Sequence, residues 1–518
     1  MPTVGCHDVV ARGSNVPIPP GPPHLFAPTR AQDSDRVSGW AEVAETHTAA
    51  VFFAGDRALK VKKPLRFDFV DLRRVEERRR VCEQEVALNR RLAPDVYLGV
   101  GVLRMPDGAE EPTVVMRRLP RDRRLSVLVT AGSQEAPDAV RRVARLMAAF
   151  HERLAPQHPD RDPVVRMRRL WDQVLSLPAE VDPAYADFVT RAHHLASRYL
   201  DGRSSLFVTR AAAGRIRDGH GDLQADDIFV LADGPRVLDC LEFDDDLRVD
   251  DVLLDVCFLA MDLERLGAPH LARMLLDDYR DLAGETHPLS LEHFFIAYRA
   301  AVRAHVTLIR AGQGEEFALP RAVGLMRQSL HHLTLATPVL LLMGGLPGAG
   351  KTTLAERVAA QRDWVVLSSD VVRKQQQGRP LATAREVAYG TGPYTEGATA
   401  RVYAEMLDRA HLALQRGESV VLDASWSDAG WRRRAREVAR HSAAVLVEVC
   451  CVVPDQVAAA RLAAPRGGPS DAAVPTRISM AAEFAAWPEA VTLPSDVVDP
   501  LPALLSAVES AVAGGAGP

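Results

Sequence analysis

The sequence predicts two folded units in tandem, an α+β unit followed by an α/β unit built on a parallel, doubly wound sheet. Three observations lead there. The chain has 518 residues, too many for one core at about 100–200 residues per domain. Its first part alternates hairpin-like strands with long helical stretches. Past Thr337-Pro338 the order becomes strand–loop–helix, repeated. That order needs crossover helices and a parallel sheet.

Each element follows from its pattern. Residues 1–36 hold Pro17, Pro19, Pro20, Pro22 and Pro23 and no sustained periodicity, so a flexible arm is expected. Residues 48–54 and 58–62 read as strands around a turn at Gly55-Asp56. A helix is expected over 72–92. Strands follow at 99–105 and 113–116, split by Pro106-Asp107-Gly108. The pattern is helical over 138–199, with Val143, Leu146, Met147, Phe150 and Leu154 on one face. Residues 206–260 read as short strands with acidic loops, and 256–335 as helical again. The first unit is thus 37–335. In the second, 338–505, strands are expected at 339–343, 364–367, 419–422 and 444–449. Residues 506–518, ending in Gly-Gly-Ala-Gly-Pro, read as a frayed tail.

Composition narrows the function classes. Apolar residues make up 47% and charged residues 25%, as in globular proteins. Apolar runs such as 338–343 are far shorter than the roughly 20 residues that cross a bilayer. No basic segment leads into an apolar one at the start, so no secretory leader is read and a cytoplasmic location is expected. The net charge of −5 speaks against a nonspecific nucleic-acid coat. The six cysteines form no CxxC pair and no Cys/His cluster, which fits thiols in a reducing compartment. Lysine occurs only at 60, 62, 63, 351 and 374, and asparagine only at 15 and 89. In a chain that otherwise uses arginine, those lysines draw notice.

The strand at 339–343 runs almost directly into Gly345-Leu-Pro-Gly348-Ala349-Gly350-Lys351-Thr352-Thr353, and a helix follows. This is a P-loop. Its glycines let backbone N–H groups curl around phosphate oxygens, and the helix N-terminus adds partial positive charge. Lys351 would reach the β/γ-phosphates of ATP, and the Thr352 hydroxyl would hold Mg²⁺. The next strand ends at Ser369-Asp370-Val-Val-Arg373, and the third at Asp423. Strand C-termini meet at the ligand crevice of such a sheet. Asp370 is therefore a candidate to take the proton of an acceptor hydroxyl, and Arg373 to hold the transferring phosphate or an acidic acceptor. Asp423 suits a Mg²⁺-holding carboxylate. The bland reading of either aspartate is a helix N-cap. Arg461 and Arg466, where a helix breaks into a Gly/Pro loop, read as a lid supplying cations or as surface arginines. The stretch 379–401, with Tyr389-Gly-Thr-Gly-Pro-Tyr394, is an acceptor-pocket candidate or a plain connector. These residues resemble the small-kinase branch of P-loop NTPases: gluconate-kinase-like, polynucleotide-kinase-like and zeta-toxin-like enzymes. The resemblance covers about 338–505 and implies phosphorylation of a hydroxyl. It does not select the acceptor.

A second stretch, His220-Gly221-Asp222-Leu223-Gln224-Ala225-Asp226-Asp227, resembles the catalytic loop of aminoglycoside phosphotransferase-like kinases. It implies a two-lobed, protein-kinase-like fold over 37–335, with Asp222 orienting the acceptor hydroxyl and position 227 binding Mg²⁺. The family has Asn at that position. Asp227 still offers oxygen to Mg²⁺ but adds a negative charge. Asp239 is the choice for a further metal-binding acid, with Glu242 and Asp244 as competitors. Asp251 and Asp255 look like loop-stabilising acids, and His151 reads as structural. Lys60, with Lys62 as alternative, stands where the family's phosphate-contacting lysine belongs, and Glu85 would orient it. Asn89 lies one turn beyond Glu85 on the same face. The tandem resembles bacterial proteins that fuse such a domain to a P-loop kinase.

The leading expectation is an ATP- and Mg²⁺-dependent phosphotransferase with two nucleotide-binding domains and a small hydroxyl-bearing acceptor. The alternatives are that only the P-loop domain is catalytic, the N-terminal domain being a binding or regulatory pseudokinase, and that the chain acts on nucleic-acid 5′ ends. Neither a basic stripe nor an aromatic platform supports the last. The sequence does not specify an oligomeric state.

Overall fold

The computed structural model describes residues 42–45, 49–66, 71–104, 108–158, 162–176, 183–312, 315, 317–380, 390–464 and 474–515; the expected arm, Tyr389 and Arg466 lie outside them. The N-terminal unit opens with β1 (Glu42–Glu45), β2 (Ala49–Ala54), β3 (Arg57–Lys62), α1 (Val75–Asn89), β4 (Tyr97–Arg104) and β5 (Glu110–Arg117). The strands form one antiparallel sheet in the order β1-β2-β3-β5-β4. The β2–β3 turn places Gly55 at φ 58°, a conformation glycine adopts without a Cβ penalty. Val81, Cys82 and Val86 on one face of α1 are buried, and Cys82 and Val86 share a small core with Ala58, Val96 and Val114 of the sheet lobe. That packing holds Glu85 of α1 beneath β3.

A helical lobe follows: α2 (Leu125–Thr130), α3 (Ala136–Arg153), α4 (Pro163–Val174), α5 (Pro183–Gly202) and α6 (Ser204–Ala212). Its middle section is β6 (Ile216–Asp218), β7 (Ile228–Leu231), β8 (Gly234–Val237), α7 (Asp245–Arg248) and β9 (Val249–Asp251). The lobe closes with α8 (Val252–Arg265), α9 (Pro269–Ala283), α10 (Leu289–Gly312) and α11 (Ala318–Ala336). Every residue of α8 from Val252 to Leu263 is buried, and a helix enclosed on all sides belongs at the centre of a core. The result is a two-lobed, protein-kinase-like fold. The helical stretch expected over 138–199 is divided among α3, α4 and α5; Asp162 caps α4 by accepting from the N–H groups of Val164 and Val165, and Pro163 follows at the first helical position. Residues 204–212 are helical where short strands were expected, so the strand-rich section begins only at Ile216.

The second unit contains β10 (Val339–Gly344), α12 (Lys351–Arg362), β11 (Val365–Ser368), α13 (Ser369–Gln376), α14 (Glu396–Gln415) and β12 (Val420–Asp423). It continues with α15 (Ala429–His441), β13 (Val445–Val452), α16 (Asp455–Ala463), α17 (Val474–Glu483), β14 (Val491–Pro494) and α18 (Leu501–Gly515). Its sheet runs β11-β12-β10-β13-β14, and every pairing is parallel. Central β10 feeds Leu340 and Leu342 into one apolar cluster and Val339, Leu341 and Met343 into another. That alternation is the pleat of a strand covered on both faces.

Two expectations are corrected here. The sheet has a fifth strand, β14; only Leu493 among its four residues is buried, so its sequence carries little apolar signal. The tail expected to fray from 506 is helical to Gly515, because Leu504 and Val508 pack into the second of those clusters. The two units touch. The Arg203 Nη1 donates to the Ser442 carbonyl at 2.6 Å, and a side chain at Gly417 would come within 2.6 Å of Ser290 Oγ.

Candidate active site

The loop from β10 to α12 is shaped by glycines, most tightly at Gly345. Gly345 has φ 124°, and a Cβ there would lie 2.3 Å from the Cys451 carbonyl oxygen. Gly348 and Gly350 both have φ 80°; Cβ atoms there would meet Ala458 O at 3.1 Å and Arg461 Nη1 at 3.3 Å. Ala349 is buried. The loop ends at the N-terminus of α12, where Lys351 and Thr352 start the first turn and Thr353 follows. The Lys351 Nζ donates to Leu346 O at 3.1 Å across the loop. The Thr352 hydroxyl donates to Asp423 Oδ2 at 2.8 Å. Asp423 ends β12 in register with Met343 and Ser368, so three strand ends meet at this point. Burial pushes the Asp423 carboxyl up, against the opposing pull of Lys351.

A cleft of about 1450 Å³ opens over this loop. Lys351, Thr352, Thr353, Asp370, Arg373, Asp423 and Arg461 all line it. Ser368 occupies the N-cap position of α13, so Asp370 is an in-helix residue facing the cleft rather than a cap. Asp423 is no cap either; Asp428 caps α15 by accepting from Gly430 and Trp431 N–H. Arg461 is held by Ser495, its Nη2 donating to the carbonyl at 2.9 Å and its Nη1 to Oγ at 3.2 Å. It packs against the P-loop rather than standing free. From the 379–401 stretch, Tyr394, Glu396, Thr399 and Ala400 line the cleft.

Sequence reasoning missed three parts of this wall. Arg477 donates to Pro347 O at 2.8 Å and pairs with Asp455 at 2.9 Å, bracing the P-loop from α17. Arg433 and Arg434 line the cleft from α15. Trp431 lines it too, with the Arg434 guanidinium 4.5 Å over its ring. The run Trp431-Arg-Arg-Arg434 is visible in the sequence, but its spacing does not separate cleft arginines from a solvated helix face.

In the N-terminal unit, the loop 219–227 is pinned by acids of α8. Asp255 accepts from the His220 N–H at 2.6 Å and the Gly221 N–H at 2.8 Å, and Asp262 accepts from the Ala225 N–H at 2.9 Å. His151 contacts Asp255 at 3.3 Å and Tyr279 at 2.9 Å, behind the loop. Asp251 instead pairs with Arg210. Burial lowers His220 to about 4, so it is neutral at pH 7, and raises Asp222 to about 6 against the pull of Arg303 and Arg299. Asp227 is pushed well up by burial and by Asp239 and Asp222 beside it. The residue that departs from the family pattern thus crowds the acids of this site.

The two lysine candidates do different things. Lys60 bridges Glu85 at 2.8 Å and Asp239 at 2.6 Å. Lys62 bridges the other oxygen of Glu85 at 2.6 Å and Glu242 at 2.6 Å. The Lys60 ammonium holds the Asp239 carboxyl below its ordinary range. Asp239 sits at φ 62°, a left-handed backbone uncommon for a residue with a side chain, and the Tyr97 hydroxyl accepts its N–H at 3.2 Å. Asp244 caps α7. Asn89 accepts from the Cys240 N–H at 2.9 Å and donates to Glu85 O at 2.9 Å, tying α1 to the 238–242 segment.

A family model described as an AAA domain matches residues 340–485. An uncharacterized protein of Mycobacterium tuberculosis is 41% identical over 451 residues, covering 86% of this chain and 90% of its own length. Among solved structures, a sugar kinase from Janibacter sp. aligns at 19% identity over 34% of this chain and 97% of its own, with a TM-score of 0.26. A choline kinase from Cryptosporidium parvum aligns at 12% identity over 57% of this chain and 89% of its own, with a TM-score of 0.38.

Proposed function

This chain belongs to the family of that mycobacterial protein, and we propose that it is an ATP-dependent phosphotransferase that moves the γ-phosphate to a hydroxyl of a small molecule in the P-loop cleft. An alignment of 451 residues is longer than either unit, so the relative shares the tandem. The observation that carries the reading is one cleft lined by Lys351, Thr352, Asp370 and Arg373 together.

The division of labour follows from the geometry. The glycine-shaped loop offers N–H groups to the phosphates, at the positive end of α12. Lys351, now resting on a loop carbonyl, swings to the β/γ-phosphates at the cost of one charge-assisted hydrogen bond, replaced by stronger ones to phosphate. Asp370 receives the proton of the acceptor hydroxyl, and Arg373 steadies the charge that develops on the transferred group. Thr352 and Asp423, already in contact, would hold Mg²⁺, which neutralises phosphate charge when bound. A buried carboxylate at the end of β12 in contact with a hydroxyl of α12 is an oxygen donor set that fits that ion. The chain's aligned groups supply positioning and electrostatics, the main contributions to phosphoryl transfer.

The Lys60–Asp239 contact favours a second reading for the N-terminal domain, as a binding or regulatory unit rather than a second kinase. The lysine is already spent on the acid that should serve the metal, and Asp227 adds charge beside them. Free cysteines at 82, 240, 257, 450 and 451 are in keeping with a cytoplasmic setting. No helix among the described residues is long and apolar enough to cross a membrane.

The test is ATP consumption and labelled-phosphate transfer to a panel of sugars, nucleosides and oligonucleotides, with Lys351→Ala, Asp370→Asn and Asp222→Asn. Lys351→Ala and Asp370→Asn are each expected to cut turnover by about 10²–10⁴-fold, and Asp222→Asn to leave most of it. Turnover that survives Lys351→Ala and vanishes in Asp222→Asn would place the chemistry in the other domain.

A further inference from the structure

We infer that the acceptor carries an anionic group, carboxylate or phosphate, besides its hydroxyl, and that Arg433 and Arg434 of α15 select it together with Arg373 of α13. This rests on the P-loop cleft being the transfer site.

The cleft has two sides. α16 and α17 follow β13, on the lid side, where Arg461 and Arg477 are engaged by Ser495, Pro347 O and Asp455. α13 and α15 follow the adjacent strands β11 and β12, on the opposite side. The arginines there keep donors without hydrogen-bond acceptors among the described residues. Arg373 is 7% exposed, yet its Nη1 has no hydrogen-bond partner and lies 3.9 Å from Asp370 Oδ1. Its Nε donates to Pro393 O at 3.2 Å and its plane sits 4.5 Å over the Tyr394 ring. The side chain is held in place with one covered nitrogen left without a hydrogen bond. A buried guanidinium nitrogen without a partner is costly unless something supplies one.

Arg433 and Arg434 are exposed, line the same cleft and form no salt bridge among the described residues. They sit in the second turn of α15. The acids of this wall are otherwise placed: Asp428 caps α15, and Glu396 opens α14. Arginines without an acid partner, lining the same cleft as a guanidinium nitrogen that lacks a hydrogen bond, make sense as a site for an incoming anion. Arginine's planar fork suits carboxylate and phosphate alike. Trp431 beside them offers an apolar surface for the body of the acceptor.

Trp431 also provides the readout. The full chain, saturated with a non-hydrolysable ATP analogue so that the P-loop is filled, is titrated with inorganic phosphate and separately with acetate at constant ionic strength. A saturable change in tryptophan fluorescence is expected with at least one anion, absent in Trp431→Phe. It should weaken at least tenfold in the Arg433→Ala/Arg434→Ala double variant and in Arg373→Met. The arm that responds tells phosphate from carboxylate. No saturable response to either anion, or a double variant that titrates like the wild type, overturns the inference. Labelled-phosphate transfer to matched pairs, gluconate against glucose and glucose 6-phosphate against glucose, separates this from the parent reading. Equal use of neutral and anionic members, with loss in Lys351→Ala, sinks the anion site and leaves the kinase standing. Transfer that survives Lys351→Ala sinks the kinase reading itself. A KM raised at least tenfold for the anionic member alone in the double variant is the positive result.

Discussion

Losing solvent around Asp222 raises its carboxyl from 3.8 to about 6, and that shift works against the folded state. The unfolded chain ionises this group near pH 3.8 and the folded chain only near pH 6. Stability contributed by the held proton is therefore present at low pH and lost as pH rises through about 6. Asp222→Asn removes the titration. Its Tm relative to wild type is expected to rise between pH 4 and pH 6 and then level off; a gap that shrinks over that range would contradict the assignment. The two lysines make a second test at this scale. Lys62, buried between Glu85 and Glu242, is a structural clamp, and Lys62→Met should cost about 3–5 kcal/mol in urea unfolding by stranding Glu242 and leaving buried Glu85 with Lys60 alone. Lys60→Met spares the Lys62–Glu242 bridge and should instead abolish any nucleotide binding to the N-terminal domain. The His-Gly-Asp run and the P-loop were legible in the sequence because each is contiguous. The Lys62–Glu242 pair spans 180 positions, and no local pattern encodes it.

At the scale of elements, legibility followed burial. β10 is apolar at every position because both of its faces are covered, and the sequence shows it plainly. β14 shows one buried residue in four and was missed. α18 was misread because its alanine- and glycine-rich end suggests fraying, while Leu504 and Val508 decide the outcome from inside the core. Leu504→Ala should destabilise the P-loop unit by about 2–5 kcal/mol, read by urea unfolding; a cost below about 0.5 kcal/mol, the range of ordinary surface changes, would mean the helix is not docked. Gly345 makes the complementary point. Its φ of 124°, and a Cys451 carbonyl oxygen only 2.3 Å from where a Cβ would sit, leave no room for alanine. Gly345→Ala should therefore reshape the loop and weaken ATP binding at least tenfold, measured by calorimetric titration, without touching any group that contacts the acceptor.

Across the whole molecule, the question is whether the two units act as one body, and the answer turns on Arg203. Its guanidinium is fully buried, 5.3 Å over the Tyr199 ring, and its Nη1 donates to Ser442 O at the C-terminal cap of α15. Burial brings its pKa down to about 10, so it remains charged at pH 7 at a desolvation cost. A cation is well placed at a helix C-terminus, and this is the helix whose other end carries Trp431, Arg433 and Arg434 into the cleft. The N-terminal domain thus braces the α15 wall of the cleft from behind. Ligand binding to one unit stabilises a docked partner only through such contacts. ATP added to the wild type is therefore expected to raise the melting of both units together in scanning calorimetry. In Lys60→Met/Arg203→Ala, where the first change removes any nucleotide binding by the N-terminal domain and the second loses the hydrogen bond and the packing around it for about 1–3 kcal/mol, two transitions should separate, and ATP should shift only that of the P-loop unit, a shift that Lys351→Ala abolishes. If ATP still moves both transitions in that double variant, Arg203 is not what joins the units; if it moves only one in the wild type, they were never coupled, and the fused N-terminal domain has to influence the P-loop cleft by some route other than α15.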